Sequence, residues 1–310
     1  MSTGDLLLSC DWGTSSFRLR LVSRGNGRVQ TEHATADGAQ PIASASPSVT
    51  ARRAAFRAVL AHALEAIGVA QQRSIPLVIS GMACSTIGWL PLGYAGLPAH
   101  VSGSDFVTGD RRIDGRKVRF VSGLRADCDV MRGEECELAG LFAAGRRQVL
   151  ARDCLVVLPG THSKHVRLKR NRITDFVTHP TGELFSLALK HSTFGGAMNE
   201  KFSPRSFRAG VLAARQLGMG PALFKARART VLGLMPREHT ADFLSGVLIG
   251  SEIVCLPSGV PVVLGAGPAL APRYRLALRT IRRRESFIPI EPREMAQALI
   301  RGHLQLSTGL

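Results

Sequence analysis

A short pattern of residues occurs twice in this chain, about half a chain apart. The first copy covers residues 8–16 (LSCDWGTSS) and the second covers residues 157–164 (VLPGTHSK). Each copy is an apolar run that ends in a Gly-Thr turn with a nearby serine, followed by alternating apolar and charged residues. Alternation with a period of two is typical of a strand with one buried face. The sequence therefore predicts two strand–turn–strand hairpins in two related halves.

Both turns are candidates for phosphate binding, because glycine turns can present backbone N–H groups and neighbouring hydroxyls to an anion. Two such turns on one polyphosphate would form a nucleotide clamp between two similar domains. Asp11, beside the first turn, would repel an anion unless a cation lay between them, which predicts Mg²⁺ there. The ordinary alternative is that these are common hairpin turns and that Lys164 is solvated. The predicted phosphate-binding residues are Gly13, Thr14, Ser15, Ser16, Gly160, Thr161, Ser163 and Lys164.

Composition narrows the classes of partner. The 310 residues carry a formal charge of +17, but the basic residues are spread out and aromatic residues make up 5%, so we expect no nucleic-acid partner. A positive field favours small anions such as ATP. The sequence lacks an apolar stretch of about 18 residues and a basic segment before its first strand, so neither a membrane span nor a signal peptide is expected. Six cysteines without a CxxC pair favour reduced thiols and a cytoplasmic location over a metal site.

The order of predicted elements repeats, which divides the chain into domains 1–145 and 146–310, with an irregular insertion near 81–117. In the first domain the predicted strands are 5–10, 17–23, 27–33 and 76–79, and the predicted helices are 50–67 and 133–145. In the second domain the predicted strands are 154–158, 164–170, 172–178, 260–264 and 286–290. The predicted helices there are 182–191, 204–217, 221–232, 238–255, 271–284 and 291–305. The basic run 282–284 ends one of these helices, where it suits the helix dipole.

Several segments together resemble the 2-dehydro-3-deoxygalactonokinase family, sugar-acid kinases of the actin, hexokinase and acetate-kinase superfamily. The segments are DWGTSSFRLRL (11–21), SGMACSTIGW (80–89), DVMRGEECELAGL (129–141), LPGTHSKHV (158–166), TGELFSLALKHS (181–192), FLSGVLIGSE (243–252) and PALAPRY (268–274). The resemblance implies an α/β fold with two ribonuclease-H-like domains and a nucleotide cleft between them, the actin-like ATPase fold. It also implies transfer of the γ-phosphate of MgATP to the terminal hydroxyl of 2-dehydro-3-deoxy-D-galactonate, which gives the 6-phosphate. The implied partners are ATP, Mg²⁺ and the sugar acid; a homodimer is an open expectation.

The resemblance also points to a base. Superfamily relatives place a carboxylate at the start of the helix that precedes the second hairpin, and here that helix opens with Glu134 and Glu135. Adjacent helical residues point about 100° apart, so the two glutamates cannot share one role. We favour Glu134, keep Glu135 as the alternative and regard Asp129 as a weaker candidate. Acidic residues in a first helical turn also simply favour the helix dipole.

The remaining candidates concern the sugar acid and the adenosine. An arginine can bind the substrate carboxylate through two parallel hydrogen bonds, and the candidates are Arg132 and Arg18, with Arg125 behind them. Trp89 and Trp12 either wall the sugar site or pack in the core. The other expectations are adenosine contacts at Gly265 and Gly267, a helix-capping role at Thr181 and no metal bound by His162.

Three alternative functions stay open at this point. The first is a kinase for another 2-keto-3-deoxy sugar acid, such as the gluconate epimer, which differs at one hydroxyl. The second is a polyphosphate phosphatase of the same superfamily, and the third is a non-enzymatic ATP-binding regulator. Release of ADP with and without a sugar acid distinguishes the kinase from the other two.

Overall fold

The structure is a computed structural model that describes residues 3–150, 152–193, 201–281 and 287–310. Contacts group the chain into two units. The first unit comprises Met1–Arg152, Leu168–Asp175 and Glu294–Leu310, and the second comprises Asp153–Arg167 and Phe176–Arg293. The domain boundary between residues 145 and 146 rests on the repeated sequence pattern and stays a prediction. The contacts divide the chain differently, since they assign the C-terminal segment Glu294–Leu310 to the first unit.

A six-stranded sheet organises the first unit. Its strands are β1 (Leu6–Trp12), β2 (Phe17–Ser23), β3 (Val29–Thr35), β4 (Leu77–Gly81), β7 (Thr108–Ile113) and β8 (Arg116–Val121), and they lie in the order β3-β2-β1-β4-β8-β7. Strands β1, β4 and β8 are parallel, whereas β2, β3 and β7 pair antiparallel with their neighbours. The alternation predicted from the sequence is observed, because Phe17, Leu19 and Leu21 all point into one apolar core.

The two faces of this sheet have different partners. Helices α1 (Ala39–Ala45) and α2 (Val49–Ala66) cover the apolar face, where Phe56 and Leu60 of α2 join the core. On the other face lie polar residues such as Ser9 of β1 and Ser80 of β4, which both bond to His303 of α10 (Pro292–Leu306). Helix α3 (Glu134–Leu141), a π-type turn at Phe142–Arg146 and α4 (Arg147–Leu150) complete the unit.

The insertion predicted near 81–117 is only partly irregular, which corrects the sequence interpretation. Strand β7 lies within it and forms an antiparallel hairpin with β8, which begins at its end, and both strands extend the main sheet. The rest contains a 3-10 turn at Met82–Cys84 and two short strands, β5 (Ala95–Gly96) and β6 (Ala99–His100). Strand β5 forms a small sheet with β9 (Leu124–Arg125) and β10 (Val130–Met131), in the order β10-β9-β5.

The second unit repeats the strand order of the first. Its sheet contains β11 (Cys154–Leu158), β12 (Ser163–Lys169), β13 (Arg172–His179), β14 (Val262–Leu264) and β15 (Phe287–Pro289), although the contacts group Leu168–Asp175 of β12 and β13 with the first unit. The order β15-β14-β11-β12-β13 places the first strand between the second and the fourth, as β3-β2-β1-β4-β8 does. Its helices are α5 (Thr181–His191), α6 (Pro204–Leu217), α7 (Met219–Val231), α8 (Thr240–Val254) and α9 (Ala271–Ile281). The repeated order confirms the predicted α/β class with two ribonuclease-H-like domains.

The predicted boundaries agree closely with the structure. Strands 17–23 and 154–158 and helix 204–217 begin and end at the predicted residues. The helix predicted over 133–145 ends as an α-helix at Leu141, and the chain then turns at Gly145 with φ of 90°. The basic run 282–284 lies outside the described residues.

Candidate active site

Asp11 and Arg18, two candidate residues of the first unit, lie at the carboxyl edge of β1 in its sheet. Parallel strands that run side by side end at the same edge, and ligands of α/β proteins commonly bind there. Asp11 lies near the end of β1, opposite Arg18 of β2 and Ser80 of β4. Because Trp12 points into the core, Asp11 points to the opposite face of the sheet.

Asp11 lies among other charged groups at this edge. Burial raises the pKa of its carboxyl, an effect that the guanidinium groups of Arg20 and Arg18 oppose and the nearby Glu134 reinforces. Arg20 also bonds Glu32 at 2.6 Å, and its side chain is mostly buried. Arg20 was not among the residues predicted from the sequence, although it lies on the same face of β2 as Arg18 and the alternation of the strand indicates this.

The first turn leaves its side chains open to a ligand. Thr14, Ser15 and Ser16 are exposed, and the N–H of Gly13 donates to the carbonyl of Ser16 at 2.8 Å. Behind the turn, the start of α1 donates its N–H groups to the carbonyls of Gly13 and Thr14 at 3.0 Å each. The turn is therefore fixed through its carbonyls, while its hydroxyls stay accessible.

The structure separates the two candidate bases. Glu135 is 0% exposed, and its carboxyl accepts hydrogen bonds from the N–H of Gly133 at 3.0 and 2.8 Å. Burial, with a contribution from Glu134, raises the pKa of Glu135 to about 8. Glu134 is only partly buried, and its carboxyl accepts a hydrogen bond from the N–H of Arg132 at 3.0 Å. Of the pair, Glu134 therefore lies on the accessible side of the helix start.

A third glutamate on the same helix escaped the sequence analysis. Glu137 follows Glu134 by three residues, so both lie on one face of α3. Burial raises the pKa of Glu137 to about 8, and the charges of Glu134 and Asp11 add to that shift. Three carboxyl groups thus approach one another here. The spacing of Glu134 and Glu137 was a readable signal for this.

Arg132 and Arg18, the predicted carboxylate binders, lie in different surroundings. Arg132 donates to the carbonyl of Cys84 at 2.7 Å, and its guanidinium lies 4.2 Å from the ring centre of Tyr94. Its Nε is buried and has no hydrogen-bond partner in the described part of the chain. Arg18 is exposed on β2, 3.7 Å from Glu32. Arg132 is therefore the pre-oriented guanidinium of the two.

The tryptophans lie in the core rather than along a surface. Trp89 is 9% exposed, and its ring is within 6.1 Å, centre to centre, of the rings of Trp12, Phe56 and Phe120. Trp12 is 0% exposed and donates its indole N–H to the carbonyl of Asp37. Packing takes up most of their surfaces, so the structure favours the core alternative for both tryptophans.

The second turn is supported from behind in the same way as the first. The carbonyl of Thr161 accepts hydrogen bonds from the N–H groups of Gly182 and Glu183, both at 3.1 Å, at the start of α5. A Cβ at Gly182 would lie 2.7 Å from the carbonyl oxygen of Gly160, so only glycine allows this approach. Thr161 is exposed and Gly160 is partly exposed. His162 is exposed and bonds Glu183 at 2.7 Å.

Two predicted phosphate contacts of the second turn point inward. Ser163 is 0% exposed and its hydroxyl donates to Glu252 at 2.6 Å. Lys164 is 4% exposed, which corrects the alternative of a solvated lysine, and it donates to the carbonyl of His162 at 3.1 Å. Glu252, on α8, is a residue that the sequence analysis missed. It was detectable as the one acidic residue in the carboxyl half of a mostly apolar helix.

The predicted adenosine turn begins at the same sheet edge as the second phosphate turn. Strands β11 and β14 are parallel, and Gly265 follows β14 with its N–H bonded to the carbonyl of Val157 at 2.9 Å. Gly267 is partly exposed, and its carbonyl accepts the N–H of Ala271 at 2.9 Å, where α9 begins. The two turns are therefore neighbours at the carboxyl edge of the second sheet.

Comparison with known proteins identifies the family. The profile described as 2-keto-3-deoxy-galactonokinase matches residues 11–302, which include both phosphate turns, Glu134 and Glu252. The chain belongs to the 2-keto-3-deoxy-galactonokinase family. The resemblance found in the sequence is therefore confirmed, and the phosphatase alternative is not favoured.

Individual members of this family are similar over most of their length. The chain is 33% identical to the 2-dehydro-3-deoxygalactonokinase of Escherichia coli (strain K12), covering 88% of this chain and 89% of that protein. It is 34% identical to the probable 2-dehydro-3-deoxygalactonokinase DgoK1 of Rhizobium meliloti (strain 1021), covering 90% and 91%. A crystal structure of a Sinorhizobium meliloti protein, provisionally described as a 2-dehydro-3-deoxygalactonokinase, superposes with a TM-score of 0.79 at 29% identity and covers 98% and 97% of the two chains.

Two properties predicted from composition can be compared with the structure. No helix in the described ranges is long and apolar enough to cross a membrane. All six cysteines are free thiols; four are buried, and Cys128 and Cys255 are exposed.

Proposed function

We propose that this kinase transfers the γ-phosphate of ATP to the terminal hydroxyl of 2-dehydro-3-deoxygalactonate and forms the 6-phosphate. The observation that carries the proposal is membership of the family across residues 11–302. The repeated pair of supported glycine turns adds a physical reason, because each turn leaves hydroxyls open for a polyphosphate. Phosphoryl transfer depends mainly on positioning and charge neutralisation, and this arrangement supplies groups for both.

The two turns and the adenosine loop take the nucleotide in this proposal. Gly13, Thr14, Ser15 and Ser16 in the first unit and Gly160 and Thr161 in the second contact phosphates. Gly265 and Gly267 lie beside the adenosine. Ser163 and Lys164 support the second turn from inside, since both are buried.

The carboxylates of the first unit fit a magnesium ion that is shared with phosphates and water. Mg²⁺ usually takes only one or two protein carboxylates, and it retains several water ligands. Asp11 is the proposed ligand, directly or through water. The negative charges of Glu134 and Asp11 each disfavour ionisation of a neighbouring carboxyl in this group, which also includes Glu137. A bound cation would offset this repulsion. When bound, the ion would neutralise charge on the phosphates during transfer.

Glu134 is the proposed general base. A carboxylate at this place can accept the proton of the attacking hydroxyl. Glu135 is unsuited to this role at pH 7, because its pKa of about 8 keeps it protonated and its side chain is enclosed. Its carboxyl instead accepts the N–H of Gly133 at the helix start.

Arg132 is the proposed site for the substrate carboxylate. Its Nη1 is fixed by Cys84, and its guanidinium plane is set by Tyr94, so little side-chain freedom is lost when a ligand binds. A guanidinium fork can then bind a carboxylate through two hydrogen bonds. We further propose action in the cytoplasm, which the six free thiols support, and a homodimer stays a prediction.

The test is release of ADP with and without 2-dehydro-3-deoxygalactonate, with the gluconate epimer as the matched control. We expect ADP release to require the sugar acid and to be faster with the galactonate form. Phosphorus NMR of the product should show coupling to the two protons of the terminal carbon. Equal ADP release with and without a sugar acid would refute the kinase assignment, whereas equal rates for both epimers would refute only the stated substrate.

A further inference from the structure

A buried carboxylate in the second unit has no part in the chemistry proposed above. Glu252 of α8 is 1% exposed, yet its carboxylate accepts four hydrogen bonds. Burial alone would raise the pKa of Glu252. The pKa is nevertheless lowered, because the carboxylate accepts hydrogen bonds from His165, Ser163 and Thr181 and interacts with the charge of His165. A buried charge costs much free energy unless it is paired and fully hydrogen-bonded, so this group is held for a reason other than packing.

The two oxygens of Glu252 serve different elements. Oε1 accepts hydrogen bonds from Ser163 at 2.6 Å and from His165 at 2.8 Å, and both residues lie on β12. Oε2 accepts hydrogen bonds from Thr181 of α5 at 2.6 Å and from Tyr274 of α9 at 2.8 Å. One side chain thus fixes β12 against two helices.

Three of these four partners adjoin a segment that is proposed to bind ATP. Ser163 follows the phosphate turn directly, because β12 begins there. Thr181 is the first residue of α5, whose next two N–H groups hold the carbonyl of Thr161. Tyr274 lies in the first turn of α9, which begins after the loop that contains Gly265 and Gly267.

A second buried carboxylate of α8 has a different set of hydrogen-bond partners. Asp242, at the other end of α8, is 6% exposed and accepts the N–H of Ser203 at 2.7 Å, with Arg273 at 3.4 Å. Neither hydrogen bond involves the phosphate turn or the start of α5, although Arg273, like Tyr274, lies in the first turn of α9. Asp242 therefore offers a matched control, since it is a buried carboxylate on the same helix with other partners.

We propose that Glu252 is a positioning residue for ATP, which holds the phosphate turn 159–162 and the adenosine loop 265–267 in one fixed arrangement. Glu252 does not touch the nucleotide in this proposal. Its loss should let the turn and the loop move independently, so the protein would have to order them when ATP binds. The inference rests on the proposed function only in taking ATP as the nucleotide.

The experiment measures ATP binding by calorimetry without a sugar acid, and then steady-state kinetics, for wild type, Glu252→Gln, Glu252→Ala and Asp242→Asn. We expect Glu252→Ala to weaken ATP binding and raise the KM for ATP by about tenfold or more, which corresponds to about 1.4 kcal/mol. The ATP affinity of Glu252→Gln should lie between those of wild type and Glu252→Ala, because an amide keeps the shape and part of the hydrogen bonding. The KM for the sugar acid should stay within about twofold of wild type, since its proposed contacts lie in the first unit.

Hydrogen exchange of the amides in the second turn provides a readout apart from activity. We expect faster exchange at 159–163 in folded Glu252→Ala and no such change in Asp242→Asn. If Glu252→Ala does not fold, Thr181→Val removes one partner of Oε2 and should weaken ATP binding in the same direction.

Unchanged ATP affinity in folded Glu252→Ala, or in Thr181→Val where that variant replaces it, would overturn the inference. An equal loss in Asp242→Asn would also overturn it, because the effect would then be general loosening of the unit. Failure of the proposed function would appear differently, as wild-type protein that binds ATP but does not phosphorylate the sugar acid.

Discussion

Replacing His303 should remove an acid-sensitive part of the stability of the first unit. The ring of His303 is 0% exposed, and its two nitrogens lie 2.8 Å from the hydroxyls of Ser9 and Ser80. Burial, with a smaller contribution from Arg20, lowers the pKa of His303 from 6.5 to about 3. The folded protein therefore holds this imidazole neutral at any pH at which proteins are commonly studied.

The sign of the effect follows from proton binding. Because the folded state binds the proton more weakly than the unfolded state, the unfolded state gains it first as the pH falls below 6.5. The contribution of the neutral His303 ring to the free energy of unfolding is therefore fully present above pH 6.5 and is lost progressively as the pH falls to about 3. One pKa unit corresponds to about 1.4 kcal/mol, so the free energy of unfolding should fall by about 2 kcal/mol between pH 7 and pH 5 through this group alone.

Tryptophan fluorescence can report this unit separately. The chain has two tryptophans, Trp12 and Trp89, and both belong to the core of the first unit. Urea unfolding followed by fluorescence at pH 7 and pH 5 should show that wild type loses about 2 kcal/mol more than His303→Gln over this interval. His62→Gln, a change at an exposed histidine of α2, should behave as wild type. If His303→Gln and wild type lose equal stability between the two pH values, the buried neutral imidazole is not the cause.

Three further predictions concern the proposed active site. Glu134→Gln should lower kcat by about 10²–10⁴-fold with a smaller change in KM, whereas Glu135→Gln should keep kcat near wild type, because the side chain it replaces is already neutral at pH 7; comparable kcat losses in both would contradict this assignment. Arg132→Lys should raise the KM for the sugar acid by about tenfold or more and leave the KM for ATP unchanged, since a lysine cannot form the planar fork; a normal KM for the sugar acid would move the carboxylate site elsewhere. Asp11→Asn should shift the Mg²⁺ dependence of the rate to higher concentration while circular dichroism stays that of wild type; normal turnover at low Mg²⁺ would remove Asp11 from the site.

Much of the fold could be predicted because the two strand hairpins have strict alternation. In β2 the residues Phe17, Leu19 and Leu21 face a core, and in β12 Val166 and Leu168 are buried while Lys169 is exposed, so a local pattern was sufficient there. Strand β8 had the same signal in Val118 and Phe120, but glycines and prolines earlier in the insertion obscured it. Strand β7, with the sequence TGDRRI, is mostly exposed and polar, so its pairing with β8 depends on tertiary context.

The candidate site was harder to predict, because the same residue types serve binding and support. Ser163 and Lys164 stand in a phosphate-like turn, yet both are buried. The hydroxyl of Ser163 bonds Glu252, which is distant in sequence, and no local spacing reveals that contact. Trp89 is similar, since a tryptophan near a Gly-rich segment looks like a sugar platform until its aromatic neighbours are known.

The membership of α10 in the first unit has a consequence for synthesis on the ribosome. Strands β1 and β4 emerge early, but His303, which bonds Ser9 and Ser80, is translated only after the whole second unit. Domains usually fold in the order in which they are made. Here the unit that is begun first is completed last, so its polar sheet face stays without α10 during most of translation. A nascent chain stalled before residue 294 would therefore need protection at its oldest segment rather than its newest.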